Sequence, residues 1–172
     1  MPGTEPPSEP IDGEVVPRVA PSWNHSDLAG YLYACLLDHM RRTGQGRVGT
    51  EVRHVSRSAG RSYLPDVHVT LRERLPTEMD AFRRGPIEIV PDFAIEVLLH
   101  DDRPMRVLDR LDFYRVAGVR LVWVVDPETR TVRVDGSDGM TGVYRAPGSI
   151  TAERVLPGFS VDLDDLFASM TP

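Results

Sequence analysis

The sequence predicts an α/β protein, an α+β arrangement in which helices cover the faces of a mixed sheet. Two observations predict this fold class. Residues 91–127 have the spacing of a buried strand, then of a helix, then of a second buried strand, as in a parallel pair joined by a crossover helix. A helical segment precedes this stretch, and short alternating segments separated by glycine-containing turns follow it.

Residues 92–99 form the first strand of this central unit. The run is apolar except for Asp92 and Glu96. Because side chains alternate between the two faces of a strand, Glu96 is expected to share a face with His100. A carboxylate in the middle of an apolar strand is costly to bury without a partner, so Glu96 is the residue that needs an explanation.

A helix and a second strand complete the unit. The helical segment is expected to end at Gly118, because glycine readily adopts the left-handed conformation of a C-terminal cap. Its apolar side is expected to comprise Leu108, Leu111 and either Val116 or Ala117. The segment LVWVVDP, residues 121–127, then predicts a second buried strand, parallel to the first.

The N-terminal region divides into an arm and a helix. Residues 1–22 contain six prolines and little periodicity, which is typical of a flexible arm. Residues 23–172 are then expected to form a single domain. Its first helix is predicted at about 26–42, with Asn24 or Ser26 as the N-cap.

The remaining segments are predicted to be strands and a final turn of helix. Alternating residues predict strands at about 47–57 and 63–71, and residues 72–90 form a long connection. The segments TVRVDG, TGVYRA and SITAERV predict short antiparallel strands, and DLDDLF a closing turn of helix. The order is therefore an α-β-β-β-α-β core followed by a β-rich C-terminal extension.

Composition narrows the classes of function. The net charge of −6 argues against a general nucleic-acid-coating protein. No apolar run is long enough to span a membrane and no stretch has the pattern of a signal peptide, so we expect a cytoplasmic protein. The single cysteine, Cys35, excludes an internal disulfide and a multi-cysteine zinc site. All twenty basic residues are arginine, so no lysine can serve in a mechanism.

Two carboxylates are expected to meet at one end of the sheet. Asp66 stands near the start of the strand at 63–71, and Glu96 towards the end of the strand at 92–99. If these strands are antiparallel neighbours, the start of one lies beside the end of the other. Asp92 precedes Glu96 by four residues, roughly 13 Å at about 3.3 Å per residue, so it is expected to mark the start of the strand. Two carboxylates at a sheet edge suit Mg²⁺, which keeps several waters and accepts a phosphate oxygen.

The segments PDV, PDFAIEVL, FYRVAGV, LVWVVDPETRTV and LPGFSVDLDDLF, in this order, resemble the Uma2 family of restriction-endonuclease-like proteins over residues 15–168. The resemblance implies the PD-(D/E)xK nuclease fold, whose core order matches the one above. It also implies that Asp66 and Glu96 bind Mg²⁺ or Mn²⁺. Leu98 stands two residues after the glutamate, where this fold usually has lysine. The resemblance implies a lysine on the following helix instead, and Arg110 stands at that position.

The predicted function is a divalent-metal-dependent endonuclease that hydrolyses phosphodiester bonds in DNA. Arg110 could stabilise charge but could not act as a base, because arginine stays protonated, so cleavage could be impaired. One alternative is a catalytically inactive nuclease fold that binds nucleic acid or protein. In another, Asp66, Arg110 and Glu96 form a structural ion-pair network.

Three histidines are candidate accessory residues. His68 lies two residues after Asp66 on the same strand face, and His100 extends the face of Glu96. His25, at the head of the first helix, matches a histidine of the family that the sequence resembles. The alternative role is packing for His68, and helix capping or a surface position for His25.

The expected partners are DNA and a second copy of the chain, without a membrane. Nucleases that cut both strands commonly act as two-fold dimers. The β-rich extension also offers exposed strand edges that pairing would cover. A homodimer is therefore expected.

Overall fold

The computed structural model describes residues 8–11, 14–17, 21–57, 60–78, 82–83 and 87–170. Its helices are α1 (Trp23–Thr43), α2 (Pro104–Ala117) and α3 (Leu163–Ala168). Its first six strands are β1 (Ser8–Ile11), β2 (Glu14–Pro17), β3 (Gly46–Gly49), β4 (His54–Ser56), β5 (Arg61–Tyr63) and β6 (Val67–Leu71). The later strands are β7 (Phe93–Val97), β8 (Leu121–Asp126), β9 (Thr131–Gly136), β10 (Thr141–Arg145), β11 (Ser149–Thr151) and β12 (Ser160–Asp162).

The central sheet is mixed and has the strand order β10-β9-β8-β7-β6-β3. Strands β7 and β8 run parallel and are joined by α2, whereas the other neighbouring pairs are antiparallel. The α/β mixed-sheet class is therefore confirmed, and so is the α-β-β-β-α-β core, which corresponds to α1, β3, β6, β7, α2 and β8. The β-rich extension follows as β9 to β12.

The two faces of the sheet are covered by different helices. On one face, leucines of α1 pack against apolar residues of β6, β7 and β8, and residues of α3 join the same cluster. On the other face, Phe113 and Tyr114 of α2 pack against Ala94, Val122 and Val124. Strands β7 and β8 are buried on both faces because both faces of the sheet are covered there. Of the helices in the described ranges, none combines the length and the apolar character needed to cross a bilayer.

Helix α1 begins earlier than the sequence suggested. It starts at Trp23, and its N-cap is Ser22, whose Oγ accepts a hydrogen bond from the His25 backbone N–H at 3.2 Å. The predicted start near residue 26 with Asn24 or Ser26 as the cap was wrong, because Ser22 offers the same capping oxygen one turn earlier. The helix ends at Gly44, which has φ 66°. The earlier start places His25 in the first turn.

Two predicted strands are each interrupted. The segment expected as one strand at 47–57 forms β3 and β4. The segment expected at 63–71 contains only the last residue of β5, Tyr63, and then, after a break, the whole of β6. Glu51 has a positive φ of 51°, which an extended strand does not allow, and its backbone N–H donates to the Pro65 carbonyl at 3.2 Å. Strands β4 and β5 pair with each other as a hairpin outside the main sheet.

The N-terminal region contains regular structure where none was expected. Strands β1 and β2 form an antiparallel two-stranded ribbon, in which Pro10 lies opposite Val15 and Pro17 lies opposite Ser8. Both strands of such a ribbon are edge strands, where proline is tolerated. The flexibility of residues 1–22 and the single domain at 23–172 stay predictions.

Helix α2 turns a different side to the sheet from the one that its leucines suggested. Leu108 is 49% exposed and Val116 is 54% exposed, so neither belongs to its buried side. The buried side is centred on Phe113 and Tyr114. Polar contacts from this side to β7 set the orientation of the helix, as described below. The predicted end at Gly118, with φ 89°, is confirmed.

Candidate active site

Antiparallel pairing of β6 and β7 brings Asp66 opposite Glu96. Val67 pairs with Ile95. Asp66, which precedes Val67, therefore lies beside Glu96, which follows Ile95. The Asp66 carboxylate accepts a hydrogen bond from the Val97 backbone N–H at 2.8 Å. The predicted neighbourhood of the two strands, on which this meeting depends, is therefore confirmed.

Glu96 is buried among polar groups supplied by α2. Its side chain is 6% exposed; Oε2 accepts a hydrogen bond from Arg110 Nη1 at 2.9 Å, and Oε1 accepts one from the Tyr114 hydroxyl. Burial, followed by the negative charge of Asp66, raises the pKa of Glu96 to about 7. Arg110 and Tyr114 act in the opposite direction but do not offset these two effects.

Arg110 bridges two carboxylates at this end of the sheet. Besides Glu96, its guanidinium donates from Nη2 to Asp102 Oδ1 at 2.5 Å. Asp102 is held in turn by the Leu99 backbone N–H, which donates to its Oδ2 at 3.0 Å. Burial acts to lower the pKa of Arg110, but the charges of Glu96 and Asp102 raise it further above its usual range. The side chain is therefore a fixed positive charge.

His25 reaches the same place from α1. Its Nε2 lies 3.2 Å from Asp66 Oδ2, and the residue is 9% exposed. The short step from Ser22 to the first turn of α1 gives this imidazole its position. Residues of α1, β7 and α2, together with the residue before β6 and the turn before α2, therefore converge on one site. We call it the Glu96 site and define it by His25, Asp66, Glu96, Asp102 and Arg110.

His100 lies apart from the face on which the sequence placed it. The prediction relied on strand alternation, but β7 ends at Val97, so the alternation does not extend to residue 100. The His100 side chain is 85% exposed and contacts the carboxylate of Glu128, which raises its pKa. The placement of His100 on the Glu96 face was wrong.

His68 shares the strand face of Asp66 but has different surroundings. It pairs with Ala94 in the sheet, and its ring meets that of His54 with centroids 4.4 Å apart. Burial, then the neighbouring His54 and Arg47, lower the pKa of His68 to about 3. At neutral pH its imidazole is uncharged.

Asp92 lies at the other end of β7, as predicted. It is fully buried and immediately precedes the strand. Its Oδ2 accepts from the Leu71 backbone N–H at 2.9 Å, its Oδ1 accepts from Arg74 at 2.9 Å, and Arg120 lies 3.9 Å away. Asp92 therefore joins the start of β7 to the end of β6.

Two members of this environment were missed by the sequence reasoning, namely Asp102 and Tyr114. Tyr114 follows Arg110 by four residues on one side of α2, and this helical spacing could have identified it once Arg110 was assigned. No periodicity could have placed Asp102, because it lies in the turn between β7 and α2.

The donor set of the Glu96 site fits a hard divalent cation. The carboxylates of Glu96 and Asp102 hold the Arg110 guanidinium, and Asp66 adds a third carboxylate beside Glu96. The pKa of Glu96 is raised by burial and then by the charge of Asp66, which Arg110 does not offset. No group of three or more histidine, cysteine or carboxylate side chains in the described part of the chain is arranged to hold a metal ion. Asp66 and Glu96 alone are the number of carboxylates that Mg²⁺ ordinarily takes from a protein, with water and phosphate filling its other positions.

The sheet is mixed, two carboxylates meet at the end of its central strands, and the crossover helix supplies an arginine to them. This arrangement is typical of a nuclease-like α/β protein. The family described as "Uma2: Putative restriction endonuclease" matches residues 1–164. The chain therefore belongs to the Uma2 family, and the resemblance seen in the sequence is confirmed.

A solved structure extends this comparison. The chain is similar to a protein described as a putative nuclease belonging to DUF820 from Anabaena variabilis ATCC 29413. The TM-score is 0.82 at 25% sequence identity, and the match covers 99% of this chain and 94% of that one. No curated protein matches the chain. Fold and family together support nuclease-like function.

Proposed function

We propose that this protein is a divalent-metal-dependent endonuclease that hydrolyses phosphodiester bonds in DNA, with Asp66 and Glu96 as the ligands of Mg²⁺ or Mn²⁺. The observation that carries the proposal is the buried carboxylate pair, in which the pKa of Glu96 is raised to about 7 by burial and by Asp66. Strongly perturbed groups that combine burial with a specific charged neighbour are concentrated at functional sites.

The side chains of the site divide the work of phosphodiester hydrolysis. A bound divalent ion supplies charge neutralisation at the phosphate and activation of water. Arg110 adds a second, permanent positive charge for the negative charge that develops on phosphate oxygens. Asp102 positions this guanidinium, since it holds Nη2 while Glu96 holds Nη1.

His25 and Tyr114 orient the two carboxylates. An ionised Asp66 can only accept a hydrogen bond, so His25 carries its proton on Nε2 and points it towards Asp66. The Tyr114 hydroxyl donates to Glu96, and burial followed by the charge of Glu96 raises the pKa of Tyr114 well above its usual range. Tyr114 therefore stays protonated and restricts the rotation of the Glu96 carboxylate.

A plasmid-nicking assay tests this function. The purified protein is expected to convert supercoiled DNA to the nicked form with Mg²⁺ or Mn²⁺ and not with EDTA. Glu96→Gln keeps the size of the side chain but removes the ligand charge, and should abolish nicking. Asp92→Asn is the matched control at the opposite end of the same strand, and should cleave. Nicking that persists in folded Glu96→Gln would refute the assignment.

A catalytically inactive fold that binds nucleic acid or protein is the second candidate function. This candidate is favoured by the two hydrogen bonds that Arg110 donates to Glu96 and Asp102. The guanidinium then supplies the positive charge at the carboxylates that a metal ion supplies in a nuclease. Binding of labelled DNA without cleavage, in the presence of Mn²⁺, would support this candidate over the first.

We also propose a cytoplasmic homodimer. The edge strand β10 exposes Val143 (59%) and Tyr144 (40%), and pairing of two copies along this edge would cover them. Light scattering at micromolar concentration is expected to give twice the chain mass. Val143→Arg should reduce that mass to one chain, whereas a monomeric natural protein would refute the dimer.

A further inference from the structure

Two buried imidazoles meet away from the carboxylates of the Glu96 site. His54 on β4 and His68 on β6 have ring centroids 4.4 Å apart and ring planes at 78°. They are 2% and 6% exposed, respectively. His68 also lines a cleft of about 960 Å³, whose wall includes Tyr33, Arg47 and Thr70. Both rings are therefore buried, and His68 borders a space that solutes can enter.

The protonation of the His54 ring follows from its one hydrogen bond. Its Nδ1 lies 2.6 Å from the carbonyl oxygen of Ile89. A carbonyl oxygen can only accept a hydrogen bond, so Nδ1 carries the hydrogen and Nε2 of the neutral ring carries a lone pair. Burial lowers the pKa of His54, which favours this neutral form. Nε2 is buried and has no hydrogen-bond partner among the described residues.

The His68 ring contains a second nitrogen without a hydrogen-bond partner in the described part of the chain. This nitrogen, Nδ1, is also buried. The ring lies against Gly49, where a Cβ atom would stand 2.6 Å from Cε1 and 2.8 Å from Nε2. Glycine at position 49 therefore makes room for the imidazole beside His54.

Two unsatisfied nitrogens in one buried place are costly for the fold. A buried polar group without a partner loses its hydrogen bonds to water on folding and gains none in return. A ligand that accepts electron pairs from both rings would remove this cost. Imidazole nitrogens suit Zn²⁺, Ni²⁺ and Cu²⁺, whereas carboxylates suit Mg²⁺ and Mn²⁺. A hydrogen bond from the other ring nitrogen to a backbone carbonyl, as in His54, is also the arrangement that orients metal-binding histidines.

We propose that His54 Nε2 and His68 Nδ1 bind a divalent transition metal of the zinc class, separately from the cation of the Glu96 site. No third histidine, cysteine or carboxylate in the described ranges completes the set. The other coordination positions are therefore filled by water or by a donor group of a molecule in the cleft. A site with open positions of this kind can anchor a ligand as well as stabilise the hairpin of β4 and β5.

Cobalt absorption spectroscopy of the full chain tests this site. Co²⁺ is added in the presence of excess Mg²⁺, which occupies the carboxylates, and Zn²⁺ then competes for the bound cobalt. The natural protein is expected to give a visible absorption band that Zn²⁺ displaces. His54→Gln and His68→Gln should each weaken Co²⁺ binding by at least about tenfold, the scale of effect seen even for residues behind metal ligands.

Two matched variants separate a metal held by this histidine pair from a metal bound elsewhere on the chain. His39 is buried and also has an Nδ1 without a partner in the described part of the chain, but its Nε2 contacts Gln45 and its ring meets Phe159 instead of a second imidazole. His39→Gln should therefore bind Co²⁺ like the natural protein, and so should Glu96→Gln. Equal losses in His39→Gln, or loss only in Glu96→Gln, would overturn the proposal.

Histidine ring nitrogen NMR tests the same claim without a variant. Addition of Zn²⁺ to the natural protein is expected to shift Nε2 of His54 and Nδ1 of His68, while the exposed His100 keeps its resonances at one equivalent. If both nitrogens show the signals of a hydrogen-bonded water and no change with Zn²⁺, the two rings share a water molecule and the metal site is refuted.

Discussion

The two ends of strand β7 each bury a carboxylate, but they treat its charge differently. Asp92 is fully buried and receives a backbone N–H and Arg74, with Arg120 nearby, so cations outnumber the carboxylate. Glu96 also receives a cation, Arg110, but Asp66 and Asp102 bring two further carboxylates to the same end. At the Asp92 end the carboxylate charge is neutralised. At the Glu96 end three carboxylates share one arginine, so negative charge is in excess.

This difference separates structural from functional burial of charge. Removing one partner from a buried ion pair is strongly destabilising. The burial of Asp92 among cations is therefore explained by the stability of the fold. The repulsion between Asp66 and Glu96 stabilises nothing by itself and raises the pKa of Glu96. A bound divalent cation would convert that repulsion into attraction. The comparison therefore supports the proposal that a metal binds at the Glu96 end and not at the Asp92 end.

Substitution of Arg110 is expected to have the largest effect on nicking activity. Arg110→Ala removes the positive charge from the Glu96 site and should reduce nicking by roughly 10²–10³-fold, as loss of a preorganised transition-state donor does. Arg110→Lys restores the group that the family resemblance implies, with a pKa that desolvation can lower, and should retain or raise the rate. Initial rates of plasmid nicking measure both.

The outcome for the two Arg110 variants also decides between the candidate functions. If the natural protein is inactive and Arg110→Lys cleaves DNA, the chain is an impaired nuclease. If neither cleaves while Mn²⁺ still binds, Arg110 is not the missing component.

Asp92 gives the largest expected effect on stability. Asp92→Ala leaves the Leu71 N–H without its acceptor and Arg74 without its partner, and should lower the free energy of unfolding by about 3 kcal/mol. Chemical denaturation followed by circular dichroism measures this change. A loss below about 1 kcal/mol would show that Asp92 is not the joint described above.

Glu96 should show the opposite behaviour, with a dependence on pH. The folded protein holds a proton on Glu96 up to a pKa of about 7, above the ordinary value of 4.5. The free energy of unfolding should therefore fall as the pH rises from 4.5 to about 7. Glu96→Gln removes this fall and should be more stable than the natural protein at pH 8 without metal, by on the order of 2 kcal/mol. Equal stability of the two proteins at pH 4 and pH 8 would contradict the raised pKa.

Asp102 gives the smallest expected effect. Asp102→Asn keeps the hydrogen bond to the Leu99 N–H but weakens the contact with Arg110 Nη2, while Arg110 keeps Glu96. Nicking should decrease by about tenfold, near 1.4 kcal/mol of transition-state stabilisation, with little change in affinity for Mn²⁺. A loss as large as that of Arg110→Ala would instead make Asp102 a ligand of the cation.

The sequence predicted the Glu96 end in part because strand alternation is a local rule and because the antiparallel pairing assumed for the two strands is present in the sheet. The alternation and the assumed pairing placed Asp66 beside Glu96, and Asp92 at the far end of β7. The same alternation failed at His100, because β7 ends at Val97 and the chain turns. The buried side of α2 could not be predicted from its leucines, because tertiary contacts determine it. Arg110 and Tyr114 donate hydrogen bonds to Glu96, and Leu108 is exposed.

Titration calorimetry with Mn²⁺ tests the central claim most directly, because it compares the two ends of β7 in one experiment. The natural protein and Asp92→Asn are expected to bind one Mn²⁺ ion with the same affinity, whereas Asp66→Asn and Glu96→Gln should not bind it measurably. Circular dichroism confirms that each variant is folded. Binding retained in folded Glu96→Gln, or lost in folded Asp92→Asn, would contradict the assignment of the cation to the Glu96 end.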